Sequence, residues 1–242
     1  MSEPNSRKFL EAYCLIETYL KRRADVDRRT TFFQLIDALA GSNAVVRRFA
    51  PDLKEYGDLR NAIVHERGDG RVIAEPHDTT VEHIQRIAEL LTNPPVITPL
   101  FQKTVFTLSD SSPVSTAVKV MFDNNISQIP ILHQKTVIGL LTTNTITRWL
   151  GKHVADDIFS LQETSVAEVL LCAEENPNKK ANYIFLKQSA SVFDAIEYFA
   201  TYAESGSQLD AILITAHGRH NEGLIGIMTI TDFPEAHQAV SK

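Results

Sequence analysis

The chain has 242 residues, two cysteines and a net charge of −6, with 24 Lys/Arg against 30 Asp/Glu. The length allows one large domain or two to three small ones, and the charge balance excludes a polybasic nucleic-acid binder. No apolar run approaches the roughly 20 residues needed to cross a bilayer, and the opening MSEPNSRKFLEAY lacks the apolar core of a signal peptide, so a cytoplasmic location with no membrane partner is expected.

Residues 1–93 read as helices. SRKFLEAYCLIETYL opens on Ser6 as a candidate N-cap and places Phe9, Tyr13, Ile16 and Leu20 on one apolar face. TTFFQLIDALAG starts on Thr30 or Thr31 and stops at Gly41, a candidate C-terminal cap. Ser42 can cap the next segment, and Pro51 suits the first turn of a further helix running to about Arg67. DTTVEHIQRIAELL carries a capping-box pattern, Thr79 with Glu82, and an apolar face of Val81, Ile84, Ala88 and Leu91. These segments predict an all-α bundle. Its charge is nearly balanced: residues 1–95 hold 14 Lys/Arg against 15 Asp/Glu, and residues 96–242 hold 10 against 15.

Pro94 and Pro95 in TNPPVITP cannot continue a helix and mark a boundary. Beyond it, β and α segments alternate. TVFTL (104–108) reads as a strand and SPVSTAVKVMFDNN (112–125) as a helix. QIPIL (128–132) and TVIGLLT (136–142) read as strands, and NTITRWLGKH (144–153) as a helix. The same order then recurs. NYIFL (182–186) is a strand, SASVFDAIEYFATYAES (189–205) a helix, LDAILIT (209–215) and GLIGIMT (223–229) strands, and DFPEAHQAV (232–240) a helix. Ala117 matches Ala195, Ser127-Gln128 matches Ser207-Gln208, and Gly139 matches Gly226. A repeated β-α-β-β-α unit predicts two half-domains that bury their sheets against each other. The fold class is therefore α+β multidomain: a helical bundle over 1–93, a linker and first repeat over 94–155, and a second repeat over 156–242.

The repeats share a motif. GLLTTNTI (139–146) and GIMTITDF (226–233) both read Gly, two aliphatics, Thr, two variable residues, a polar residue and an apolar one. The polar residue is Asp232 in the second copy and Thr145 in the first. With the central-Ala helices and SQIPIL, this pattern resembles the cystathionine-β-synthase (CBS) domain, found as tandem pairs, over about residues 100–242. The resemblance implies a regulatory module with two clefts that takes an adenosine-containing ligand: AMP, ADP, ATP, S-adenosylmethionine or cyclic di-AMP. It implies no required cofactor.

At the second copy, Gly226 would let backbone approach closely, Thr229 would hold a phosphate, and Asp232 would accept the ribose hydroxyls. Tyr183, Ile184, Ala211 and Ile212 are the implied adenine contacts. Thr142 and Thr145 mark a second, weaker cleft that lacks the acid. The second copy departs from the family pattern at Asp210 and Ala211, where Pro and Val are usual. A CBS pair that binds no ligand and acts as a dimerisation scaffold is the alternative, with Asp232 simply capping the last helix.

DLRNAIVHERG (58–68) carries a second resemblance. Arg60-Asn61, followed by three residues and His65, is similar to the Arg-polar-x-x-x-His motif of the HEPN helical-bundle superfamily, several of whose members are metal-independent ribonucleases acting at a dimer interface. The resemblance implies a further alternative, an endoribonuclease gated by the CBS module. His65 would be the acid or base and Arg60 the phosphate clamp, with RNA as partner and DNA not expected. The plain alternative pairs these side chains with Asp58, Glu55 or Glu66. Both resemblances imply a homodimer. The other histidines do not cluster, Cys14 and Cys172 read as small buried apolar residues, and no metal site is expected.

Overall fold

A computed structural model describes residues 3–24, 29–64, 74–154, 160–174 and 181–241. The chain divides into two compact units, Met1–Pro95 and Val96–Ser241. Among the described residues, no helix is long and apolar enough to cross a membrane.

The first unit is helical: α1 (Asn5–Arg23), α2 (Phe32–Ala40), α3 (Ala44–Val64) and α4 (Asp78–Thr92). α1 packs on α4 and α2 on α3. The expected faces are the ones buried: Phe9, Tyr13, Ile16 and Leu20 on α1, and Val81, Ile84, Ala88 and Leu91 on α4. Each of the Phe, Ile, Leu and Val side chains among them contributes about 1.5–3 kcal/mol on leaving water.

Three helix starts differ from expectation. α1 begins at Asn5 behind Pro4, with Ser6 inside its first turn and no side-chain cap of its own. Instead Glu75, far along the chain, accepts from the Ser6 N–H at 3.0 Å. That backbone bond holds the Glu75 carboxyl below the usual glutamate range. α3 is capped by Asn43, whose Oδ1 accepts from Val46 N at 3.0 Å, and not by Ser42. It runs continuously through Pro51, because Val45, Val46, Leu53, Tyr56 and Ile63 are buried on both sides of the proline. Packing along the whole helix outweighs the one hydrogen bond the ring removes. α4 begins at Asp78, so the Thr79–Glu82 pattern lies inside the helix and makes no cap. α2 starts as expected, with Thr31 and Gln34 forming the capping box. Cys14 is exposed, contrary to expectation, on the face of α1 opposite Ile16 and Leu20.

The second unit opens with one helical turn, α5 (Ile97–Leu100), and then repeats itself. The first repeat is β1 (Leu108–Ser109), α6 (Val114–Asn124), β2 (Gln128–His133), β3 (Thr136–Thr142) and α7 (Thr143–His153). α8 (Val166–Glu174) follows. The second repeat is β4 (Tyr183–Lys187), α9 (Val192–Glu204), β5 (Ala211–Thr215), β6 (Leu224–Met228), a 3-10 turn (Ile230–Asp232) and α10 (Phe233–Ser241). Each sheet has three strands in sequence order, the first pair parallel and the second antiparallel. The matched alanines Ala117 and Ala195 are both fully buried. Val137 and Leu140 of the first sheet pack with Ala211 and Leu213 of the second, so the sheets bury their faces against each other.

β1 is shorter than expected and starts only at Leu108. Past Ser109 the Asp110 N–H still donates to Leu132 O at 3.0 Å, and the chain then turns where Asp110 Oδ1 accepts from Ser111 N at 2.9 Å. α8 was not expected at all. Ser165 and Glu168 form its capping box, and Val166 and Val169 are fully buried against α6, β2 and α7 residues.

Candidate functional site

The constellation with chemistry on it lies where β6 runs into α10. The Thr229 N–H and its hydroxyl both donate to Asp232 Oδ2, at 2.7 and 3.1 Å. This is a capping box on the 3-10 turn Ile230–Asp232 that leads into α10. Thr229 Oγ1 also lies 2.8 Å from the Thr231 hydroxyl. Oδ1 is left for another partner, and it has one that sequence reading missed. Lys103 Nζ donates to Oδ1 at 3.0 Å and to Oδ2 at 3.3 Å. The acid is 17% exposed and the lysine 43%. The carboxylate is therefore held by its own chain and still partly exposed.

Gly226 explains how Lys103 gets there. Gln102 forms an isolated antiparallel bridge with Gly226. A Cβ on residue 226 would overlap Phe101 O. The close backbone approach that the motif glycine permits is thus made by the chain itself. Phe101 is buried and anchors the same segment, so the Cα of Lys103 is pinned one residue past a bridge.

A cavity of about 670 Å³ is lined by Ile230 and Phe233 and, from the first copy, by Thr142 and Asn144; Thr229, Asp232 and Lys103 are not among its lining residues. Phe199 and Leu209 extend the apolar side, while Gln128 and Gln208 face it with amides. Phe199 and Phe233 meet edge to face at 5.0 Å. Asp210, where the CBS pattern usually has Pro, lines the cavity too. Its carboxylate accepts from Asn182 Nδ2 at 2.8 Å and from Gln208 Nε2 at 2.7 Å, so the departure is satisfied locally. The cavity size falls in the range of small-ligand pockets.

The other candidate residues lie as follows. Ala211 and Ile212 have no exposed surface; Tyr183 and Ile184 are partly buried on the neighbouring strand, in register with them. Tyr183 packs into the inter-sheet core. In the first copy, Thr142 and Thr145 are both buried; their hydroxyls are 3.0 Å apart, and Thr142 Oγ1 accepts from Thr145 N. Thr142 thereby caps α7, and with Thr143 and Asn144 it also lines the cavity. In the first unit, Arg60 Nη1 donates to Asn61 Oδ1 at 3.3 Å and its guanidinium lies 5.9 Å from the Tyr13 ring centroid. His65, the helix end at Arg67, the repeat boundary near residue 155 and the Cys172 side chain lie outside the described residues. His217 lies 2.8 Å from Glu222 in an ordered turn, and no group of three or more metal-capable side chains occurs among the described residues.

Comparison with known proteins agrees with the sequence pattern in part. The CBS domain family model matches residues 87–152, which includes the first repeat. No curated protein matches the chain. Among solved structures, one from Burkholderia ambifaria MC40-6, described as a signal-transduction protein with CBS domains, shares 20% identity. It covers 58% of this chain and 88% of its own, at a TM-score of 0.42. A structure described as the acetoin utilization protein AcuB from Vibrio cholerae shares 15% identity over 60% of this chain and 92% of its own, at 0.45. The CBS domain pair of protein MJ0100, solved with 5′-methylthioadenosine and S-adenosyl-L-methionine, shares 16% identity over 60% and 97%, at 0.41.

Proposed function

We propose that the second unit is a regulatory CBS pair that binds an adenosine nucleotide at Thr229 and Asp232, and that the protein works as a homodimer in which the ligand modulates the helical unit. The observation that carries the reading is the Asp232 carboxylate. Thr229 holds Oδ2 in place, Lys103 pairs with both oxygens, the carboxylate keeps some exposure, and Ile230 and Phe233 on either side of Thr231-Asp232 line a cavity of about 670 Å³. A ribose diol presents two O–H donors to such a carboxylate, a charge-assisted contact. The purine would rest on the apolar wall of Ile230, Phe233 and Phe199. The candidates on the sheet, Ala211 and Ile212, have no exposed surface and take no part in that wall. Thr145 brings no charge, so the first copy, whose Thr142 lines the cavity, is the weaker of the two clefts. A homodimer is supported by an apolar groove lined by Val118, Met121, Ile146 and Leu150, at whose edge Phe122 is 84% exposed.

The test is a thermal-shift panel of AMP, ADP, ATP, S-adenosylmethionine and cyclic di-AMP, with GTP as control, on the wild type and Asp232→Asn. Asparagine keeps an acceptor for the Thr229 N–H and removes the charge. A ligand at 100 times its Kd adds about 2.7 kcal/mol. Stabilisation by one or more adenosine ligands, lost in Asp232→Asn, is expected. Absence of any shift would defeat the reading and favour a scaffold that binds nothing.

A further inference from the structure

We propose that Lys103 is a built-in competitor for the ribose carboxylate and thereby sets the ligand class: the site selects adenosine carrying a 5′-phosphate over the uncharged nucleoside. This rests on the reading that Asp232 receives the ribose. The argument starts from the ion pair. In the present structure Lys103 Nζ contacts both oxygens of Asp232. A diol that takes this carboxylate must displace the ammonium. An uncharged nucleoside offers the displaced lysine nothing, so its binding carries the full loss of the pair. A nucleotide carries its own anion, and the lysine can exchange one anionic partner for another.

The geometry suits such an exchange. The Lys103 backbone is held by the Gln102–Gly226 bridge and by buried Phe101, so the residue cannot leave with its segment. Its side chain is nearly half exposed and free to swing about that fixed point. The distance across a ribose from its diol to its 5′-phosphate is a few ångströms, within the sweep of a lysine side chain. Lysine suits this role better than arginine for a second reason. It is a point charge without a rigid fork, and it re-pairs without a bidentate geometry to break.

The experiment is isothermal titration of AMP and of adenosine into the full chain, for the wild type, Lys103→Gln and Lys103→Arg. The wild type is expected to bind AMP tighter than adenosine by roughly tenfold or more, the scale of a charge-assisted contact. In Lys103→Gln the two affinities converge, because adenosine tightens as its competitor is lost and AMP weakens. Lys103→Arg keeps the preference for AMP. AMP bound less than about twofold tighter than adenosine by the wild type overturns the proposal whatever the variants do. So does a preference left intact in Lys103→Gln, and in both cases Asp232 still stands as the ribose site. Binding of neither ligand to any of the three proteins overturns the ribose site together with the proposal.

Discussion

Replacing Gly226 with alanine probes the contact on which the site is built. The backbone at 226 is not in the left-handed region, so the cost is space and not conformation. An ideal Cβ would overlap Phe101 O and lie 3.0 Å from Phe101 C and 3.2 Å from Gln102 Cα. All three are backbone atoms, and no rotamer change relieves them. Either the Gln102 bridge breaks or β6 shifts. Overpacking of this kind costs roughly 1–3 kcal/mol, and a clash with fixed backbone belongs at the upper end. For a chain of this size that lowers Tm by about 6–12 °C. Gly223→Ala is the control, because a Cβ there meets nothing within 4 Å. It is expected to be neutral or stabilising by up to about 1 kcal/mol. Calorimetric melts of the two variants decide the matter. A Gly226→Ala protein as stable as Gly223→Ala would show that the segment carrying Lys103 is not held against β6.

Ser165→Ala removes the cap of α8 and should cost about 1 kcal/mol in urea unfolding; an unchanged midpoint would mean that burial of Val166 and Val169 alone fixes the helix. The backbone N–H of His217, followed by the turn's side chains, pulls the Glu222 carboxyl from 4.5 down to about 2. A folded value below the unfolded one stabilises at high pH, so the 217–222 turn should be intact above about pH 4.5 and loosen progressively toward pH 2. Amide exchange at His217 reads this out, and equal protection at pH 6 and pH 2 would refute it. Phe122→Ser removes the most exposed ring on the α6/α7 groove. It should convert a dimer to a monomer in light scattering with little change in Tm, whereas an unchanged mass would remove that face from the interface.

What the sequence revealed follows from the range of the forces involved. The helix faces and the two β-α-β-β-α copies were readable because periodicity and repetition are local. Phe9, Tyr13, Ile16 and Leu20 must face one way if α1 exists at all. Helix starts were less readable. The cap on α1 comes from Glu75, 69 residues from Ser6, and no local pattern announces it. Pro51 read as a beginning because proline disfavours a helix interior, yet packing on both sides carries α3 through it. α8 did carry its signal, Ser165 followed three residues later by Glu168, within a stretch with no counterpart in the alternating scheme. At the site, Thr229 and Asp232 were readable as a motif and meet as hydrogen-bond partners. Lys103 was not, since 129 residues separate it from Asp232, and only the fold makes them neighbours. The same holds for the cavity wall at Phe199 and Phe233, which belong to different helices.

The central claim is that a nucleotide's ribose lies on the Asp232 carboxylate, and a crystal structure of the full chain grown with AMP tests it most directly. Both ribose hydroxyls should lie within about 3 Å of Asp232 oxygens, with Lys103 Nζ drawn from the carboxylate to the phosphate. AMP bound elsewhere on the chain, or a carboxylate still paired with Lys103 while AMP occupies the cavity, would contradict it.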